Sequence, residues 1–288
     1  MLRAVAPAKI NLFLHILGRR ANGYHELQSL VVFSAFGDEV EVESASGSGL
    51  DVVASGSWAK AIEGVANQDN LVIRAAQALR ERTGKPSLGA RIRLSKEIPV
   101  GAGLGGGSSD AAATLKLLNR IWDLGLPLSE LESIGLALGA DVPVCLRARS
   151  SLVEGIGEGL SDVPQLPALS LVLAHTGEVL PTAPVFKDLR RDEWSAAPAR
   201  LPSSFARIED LISCLEHARN DLQAPALRLQ PAIARLLDDI ADRDGCRLAR
   251  MSGSGAACFG IFAGRSAAEA ATTQLKRKGW WATPTQLI

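Results

Sequence analysis

Five glycines fall within seven positions in the segment Pro99-Val100-Gly101-Ala102-Gly103-Leu104-Gly105-Gly106-Gly107-Ser108-Ser109. A loop so poor in side chains lets backbone N–H groups approach an anion, and a helix beginning after it adds unpaired N–H groups and the positive end of its dipole. That is phosphate-binding chemistry. No Lys-Ser or Lys-Thr follows the glycines, which excludes the G-x-x-x-x-G-K-[ST] loop. Gly101, Gly103 and Gly106 fit G-x-G-x-x-G, but a dinucleotide site wants a buried apolar strand before the loop and an acid ending the next strand. Here the preceding segment, Arg91-Ile92-Arg93-Leu94-Ser95-Lys96, is half charged, and Asp123 closes a helix. The chain has no H-R-D or D-F-G triplet, so it is not a protein kinase.

Other positions suit phosphoryl transfer, which requires charge neutralisation, an in-line geometry and a group to orient or deprotonate the attacking hydroxyl. Asp141 follows a helix stop, Gly139, and precedes the apolar run Val142 to Leu146, so its carboxylate is displayed at an element boundary. It suits a general base, worth about 10²–10⁴ in rate, and equally a turn-forming aspartate. Lys9 interrupts an apolar stretch that continues to Leu17. Buried, its ammonium demands a carboxylate or phosphate nearby; at a strand edge it would reach solvent instead. Tyr24, the only tyrosine, stands beside His25, and the pair offers a ring face and a hydrogen-bonding edge. Ser252-Gly253-Ser254-Gly255 makes a second small-residue loop, running into the apolar strand Cys258 to Phe262. His15, His175 and His217 lack metal-ligand spacing and are read as structural.

The elements that must hold these groups are marked by Gly, Pro and charge. Asp38 to Ser44 alternates as a half-exposed strand; Gly47 to Gly49 then reads as a turn into a strand at Leu50 to Val53, which predicts antiparallel pairing of the two. Helices are expected over Asn70 to Arg82, Ser109 to Leu124 with Ser108, Ser109 or Asp110 as cap, Ser129 to Leu138, Arg207 to Ala218 and Pro231 to Asp242. Arg91 to Leu94 alternates as a strand, Lys187 to Pro202 sets off a distal part with the last two of these helices, and the boundary between the two halves is placed near residues 155 to 165. This mixture predicts an α+β fold rather than a doubly wound parallel sheet.

Composition bounds the reading. A chain of 288 residues holds one large or two ordinary domains, and 31 basic residues balance 31 acidic ones, against a dedicated nucleic-acid binder. Cys145, Cys214, Cys246 and Cys258 form no C-x-x-C pair, which points away from disulfides and zinc and toward a reducing cytoplasm. No apolar run reaches the ~18 residues that cross a bilayer.

Pro99 to Ala113 resembles the nucleotide-binding motif of the GHMP family of small-molecule kinases. Pro7 to Leu14 and Gly23-Tyr24-His25-Glu26-Leu27 resemble one branch of it, whose acceptor is 4-diphosphocytidyl-2-C-methyl-D-erythritol. Asp69-Asn70-Leu71, Gly139-Ala140-Asp141-Val142-Pro143, Asn220-Asp221-Leu222 and Met251 to Gly255 match in the family's order, so the resemblance covers nearly the whole chain.

The resemblance implies an ATP-dependent kinase of the acceptor's 2-hydroxyl in non-mevalonate isoprenoid synthesis, using Mg²⁺. It implies Asp141 as base and Lys9 as its electrostatic partner. Nucleotide contacts are implied for Lys96, Pro99, Val100, Gly101, Ala102, Gly103, Leu104, Gly105, Gly106, Gly107, Ser108 and Ser109. Acceptor contacts are implied for Asn11, Tyr24, His25, Asp141, Thr182 and Phe186, with Phe186 as the ring across the base from Tyr24. It also implies a nucleotide-binding domain over residues 1–160, like ribosomal protein S5 domain 2, and a ferredoxin-like domain over 161–288 that contributes to substrate binding, in a monomer or homodimer. Two departures stand out. The helix after the loop reads Lys116-Leu117-Leu118-Asn119-Arg120 and lacks the magnesium-binding glutamate of some relatives, leaving the protein ligands of Mg²⁺ unknown, with Ser108 or Ser109 as candidates. The segment before Thr182 lacks an expected proline near His175. The rivals are a GHMP kinase for homoserine, mevalonate or a sugar, and a nucleotide-binding module without chemistry.

Overall fold

The computed structural model describes residues 1–64 and 69–288. In chain order the strands and helices are β1 (Leu2–Arg19), β2 (His25–Ala45), β3 (Leu50–Ser55), α1 (Leu71–Thr83), β4 (Gly89–Ser95), α2 (Gly106–Ile121), α3 (Leu128–Leu138), α4 (Val142–Arg147), β5 (Ser151–Gly155), β6 (Gly159–Asp162) and β7 (Ser170–His175). There follow α5 (Thr182–Asp188), α6 (Ile208–Glu216), α7 (Gln223–Leu229), α8 (Ala232–Ala241), β8 (Cys246–Met251), β9 (Cys258–Phe262), α9 (Arg265–Arg277) and β10 (Trp281–Gln286). Two compact units emerge, and neither is continuous in sequence: Met1–Lys9, Gly37–Val100 and Gly105–Ala148 make the first, and Ile10–Phe36, Gly101–Leu104 and Arg149–Ile288 the second. The reason is strand length, since the 18-residue β1 and 21-residue β2 each run through both units.

In the first unit the end of β2 pairs antiparallel with β4, in the register Val40 to Leu94 and Val42 to Ile92. These four side chains are buried on one face, while Arg93 on the other bonds Glu41 at 2.7 Å and Glu43 at 3.2 Å. The strand at Leu50 does not form the expected hairpin with β2: β3 lies parallel to β4. Parallel neighbours need a long crossover, and α1 supplies it between them. Asn70 caps α1 by accepting the Val72 N–H at 3.0 Å, and Gly84, left-handed at φ 63°, ends it. Helix α2 starts at Gly106, three residues before the expected start at Ser109, behind Gly105 at φ 65° and with no side-chain cap. Ser109 and Asp110 do not cap because their side chains are bound to Pro7 and Lys96.

In the second unit the start of β2 pairs antiparallel with β5, and β5 with β6. A separate antiparallel sheet has the order β10-β7-β9-β8. Its strands and the helices α8 and α9 follow the β-α-β-β-α-β arrangement of ferredoxin-like folds. Ile233, Leu236, Leu237 and Ile240 recur at helical spacing along α8 and are buried with Val172, Ala174, Phe262 and Leu275, at about 1.5–3 kcal/mol for each large side chain. Among the described residues no helix is long and apolar enough to cross a membrane, and Cys145, Cys214, Cys246 and Cys258 carry free thiols.

Arg250 is the polar tie of this unit. Its buried guanidinium donates to the carbonyls of Leu12 and Leu215 at 2.7 Å and of Ala218 at 2.8 Å, closing the end of α6 against β1 and β8. Burial pushes its pKa down to about 10, far above neutrality, so it stays charged. Arg250→Ala strands three carbonyls and is expected to lower the unfolding free energy by about 3–5 kcal/mol. The urea midpoint reads this directly, and a loss below about 1 kcal/mol would show the three bonds to be dispensable.

Candidate active site

The first unit joins two residues 132 positions apart in sequence, Lys9 of β1 and Asp141 at the start of α4. The Lys9 ammonium meets the Asp141 carboxylate at 3.1 Å; the lysine is buried, whereas the aspartate side chain is 45% exposed. Asp141 occupies the N-cap position of α4, yet its side chain makes no capping bond. The carboxylate therefore does not serve the turn. It faces an ammonium on one side and remains open to a hydroxyl on the other. The lysine stem reaches it past Gly105, where an added Cβ would lie 3.0 Å from the Lys9 Cβ.

The glycine segment turns through left-handed residues, Gly101 at φ 65°, Gly103 at φ 75° and Gly105 at φ 65°. Glycine adopts these angles freely. No side chain caps α2, so its first N–H groups, from Gly106 to Ser108, lack intrahelical carbonyls. The Ser109 hydroxyl is spent on the Pro7 carbonyl at 2.7 Å, and the Lys96 ammonium is buried on Asp38 and Asp110. Burial pushes the Asp110 carboxyl up to about 7, against the pull of Lys96. Cys145, also buried beside Ser109, has its thiol pushed up to about 12 and is no nucleophile.

The second unit gathers another set. Gly103 and Ala102 lie against the second small-residue loop: Ser252 Oγ donates to the Gly103 carbonyl at 3.1 Å, and the Ala257 N–H donates to the Ala102 carbonyl at 2.9 Å. A Cβ on Gly103 would collide with the Ser252 carbonyl. Asn220 holds that loop through two bonds of 2.8 Å, to the carbonyls of Met251 and Gly253. Asn11 is buried; its N–H donates to Ser252 Oγ and its amide to Ser29 Oγ at 2.7 Å. Thr182 and Phe186 stand four residues apart on one face of α5, and the Thr182 hydroxyl shares a bond of 2.9 Å with Ser254.

The His25 ring contacts Phe186, centroids 5.3 Å apart and tilted by 32°. Burial, with Arg19 assisting, lowers the His25 pKa, so the imidazole is neutral at neutral pH. Tyr24 is 62% exposed. A third ring completes the group and was missed in sequence: Trp194 meets His25 edge-on at 5.6 Å and 82°, with Arg191 stacked 5.1 Å over it. Trp194 lies in the charged Lys187–Pro202 segment, where nothing local marks it. What fixes it is remote, because Asp221 accepts the N–H groups of both Ser195 and Ile16. The remaining histidines are bound locally: Nε2 of His15 accepts the Arg219 N–H, Nδ1 of His175 accepts the Gly177 N–H, and His217 pairs with the Ser213 carbonyl.

Comparison with known proteins places this arrangement. The family model for the GHMP kinases N terminal domain matches residues 70–149, and that for GHMP kinases C terminal matches residues 199–279. The chain is 46% identical to a 4-diphosphocytidyl-2-C-methyl-D-erythritol kinase of Parvibaculum lavamentivorans, covering 96% of this chain and 94% of that one. Identity to the enzyme of the same name from Rhodospirillum rubrum is 44%, over 98% and 91% of the two chains. A crystal structure of 4-(cytidine 5'-diphospho)-2C-methyl-D-erythritol kinase superposes with a TM-score of 0.81 at 35% identity over 99% of each chain. Homoserine kinase from Cytophaga hutchinsonii shares the fold alone, with a TM-score of 0.67 at 17% identity over 100% of this chain and 94% of that one. With both halves of the fold matched and near-full-length identity close to one half, the chain belongs to the GHMP kinases and, within them, to the 4-diphosphocytidyl-2-C-methyl-D-erythritol kinase family.

Proposed function

We propose that the chain transfers the γ-phosphoryl group of ATP to the 2-hydroxyl of 4-diphosphocytidyl-2-C-methyl-D-erythritol, releasing ADP, as a step in non-mevalonate isoprenoid synthesis in the cytoplasm. The observation that carries the chemistry is the pair of Lys9 and Asp141, a half-exposed carboxylate held at 3.1 Å from a buried ammonium and unused by its own helix. Asp141 accepts the proton of the 2-hydroxyl as that oxygen attacks the γ-phosphorus, and the Lys9 ammonium offsets charge as it develops. The N–H groups at the start of α2 and the glycine loop hold the nucleotide phosphates.

Among the described residues no group of three or more His, Cys, Asp or Glu could hold a metal. Mg²⁺, when bound, would supply neutralisation of the nucleotide's phosphate charge, with the Ser108 or Ser109 hydroxyl and water as its candidate ligands beside the phosphates. At the other end of the acceptor, the cytosine stacks between Tyr24 and Phe186 and is read at its edge by His25. A neutral imidazole presents one donor and one acceptor, and Trp194 holds its plane. Asn11 and Thr182 supply further polar contacts.

The deciding experiment is ADP release with Mg²⁺ and ATP, comparing the cytidylylated acceptor with its uncytidylylated phosphate, homoserine, mevalonate and galactose. Turnover with the cytidylylated compound alone is expected; turnover confined to any other acceptor discards the base pocket. Asp141→Asn is expected to lower kcat by about 10²–10⁴-fold, with ATP affinity nearly unchanged in calorimetry. A variant that loses ATP affinity and keeps its turnover contradicts the base role. His25→Ala should raise the KM for the acceptor by roughly tenfold, the scale of one lost hydrogen-bonding contact, and leave that for ATP alone; equal shifts in both would remove His25 from the base site.

A further inference from the structure

Strand β4 ends at Ser95, and the next side chain, Lys96, turns inward. Its ammonium donates to Asp38 and, at 2.8 Å, to Asp110. All three side chains are buried in the first unit. Asp38 does more than pair with the lysine: its other oxygen accepts the N–H groups of Glu97 at 2.5 Å and Ile98 at 2.7 Å. One carboxylate thus orients the two peptides that lead into the glycine loop, and the ammonium couples it to the fifth residue of α2, on the loop's far side. The fit is close, since a Cβ on Gly106 would lie 2.8 Å from the Lys96 Nζ.

Burial works against the Lys96 charge, but the carboxylates of Asp110 and Asp38 outweigh it and hold the pKa above the usual lysine range. The ammonium therefore stays charged, held by both carboxylates. A buried ion cluster of this kind is no better for stability than apolar residues of the same volume, so the fold by itself does not call for it. Its bonds instead converge on the two ends of one loop. We propose that Lys96, with Asp38 and Asp110, is a positioning group for the nucleotide: the cluster presets the loop backbone and does not touch the phosphates. This rests on the reading of that loop as the ATP site.

The alternative, an ammonium that itself reaches the phosphates, makes the opposite prediction for Asp38→Asn. That substitution removes one of the two negative charges beside the lysine and leaves Asp110 as its anionic partner, so direct contact predicts tighter ATP binding. A positioning cluster predicts weaker binding, by roughly tenfold for the loss of charge-assisted bonds. Calorimetric titration of the whole enzyme with Mg²⁺ and ATP, without acceptor, separates them; unchanged or tighter binding overturns the proposal. Asp110→Asn keeps an oxygen for Lys96 and is the variant to use should Asp38→Asn fail to fold. Weaker binding is expected for it as well, and tighter binding again overturns the proposal. Lys96→Met with Asp38→Asn should bind no worse than the weaker single variant, because both break one unit; additive losses would refute the coupling. In turnover the KM for ATP should rise while kcat and the acceptor KM stay within about twofold, and a fall in kcat that tracks the melting temperature, with the KM for ATP unchanged, would reduce the cluster to scaffolding. If the unaltered enzyme does not bind ATP, the nucleotide reading of the loop falls, independently of the cluster.

Discussion

Two lysine ammonium groups are buried in the first unit beside the start of α2, and much of that unit is arranged to make this tolerable. An unpaired buried charge costs far more than folding can supply, so each lysine has carboxylate company: Asp141 for Lys9, Asp38 and Asp110 for Lys96. Each also passes where only backbone leaves room. Added Cβ atoms would lie 3.0 Å from the Lys9 Cβ at Gly105 and 2.8 Å from the Lys96 Nζ at Gly106. The glycines therefore serve two ends at once. They give the loop its left-handed turns and bare N–H groups, and they open passage for the cations around it.

The second unit answers a different need, that of fixing the path of its chain, including the irregular stretch around Trp194. Its polar side chains do this by gripping backbone. Asp221 binds Ile16 of β1 and Ser195 next to Trp194; Asn220 binds both sides of the Ser252 loop; Arg250 binds three carbonyls. Each is buried and each bonds to main chain, so the constraint falls on chain path rather than on another flexible side chain. Of these anchors, Asp221 is the one that holds the chain beside Trp194.

Fold and specificity separate cleanly in this family. Homoserine kinase shares the architecture at 17% identity, and mevalonate kinases share it at similar distance. At that distance the likeness shows the fold alone. Identity is far higher, 46% and 35%, to proteins named 4-diphosphocytidyl-2-C-methyl-D-erythritol kinase and 4-(cytidine 5'-diphospho)-2C-methyl-D-erythritol kinase, in keeping with function being grafted onto a widely used scaffold.

Local chemistry was legible without coordinates. Helix α1 is marked by its Asn70 cap and Gly84 stop, β4 by strict alternation, and the phosphate loop by its glycines, because each signal is spent within a few residues of where it acts. The partnership of Lys9 with a carboxylate was foreseeable from the cost of burying an amine in an apolar strand. Partner choice over long separations was not. The strand at Leu50 reads as half of a hairpin, yet pairs parallel with β4, since only the crossover through α1 brings Ile92 and Leu94 opposite Val42 and Val40. Asp38 reads as the first residue of an alternating strand, and only the folded chain sets it against Lys96, Glu97 and Ile98. Trp194 and Ser109 were settled in the same way, one by an aspartate 27 residues on and the other by the Pro7 carbonyl. Sequence determined which groups needed partners, because charge, size and backbone freedom belong to the residue; tertiary structure alone decided which partners they found, because that depends on the register in which distant strands meet.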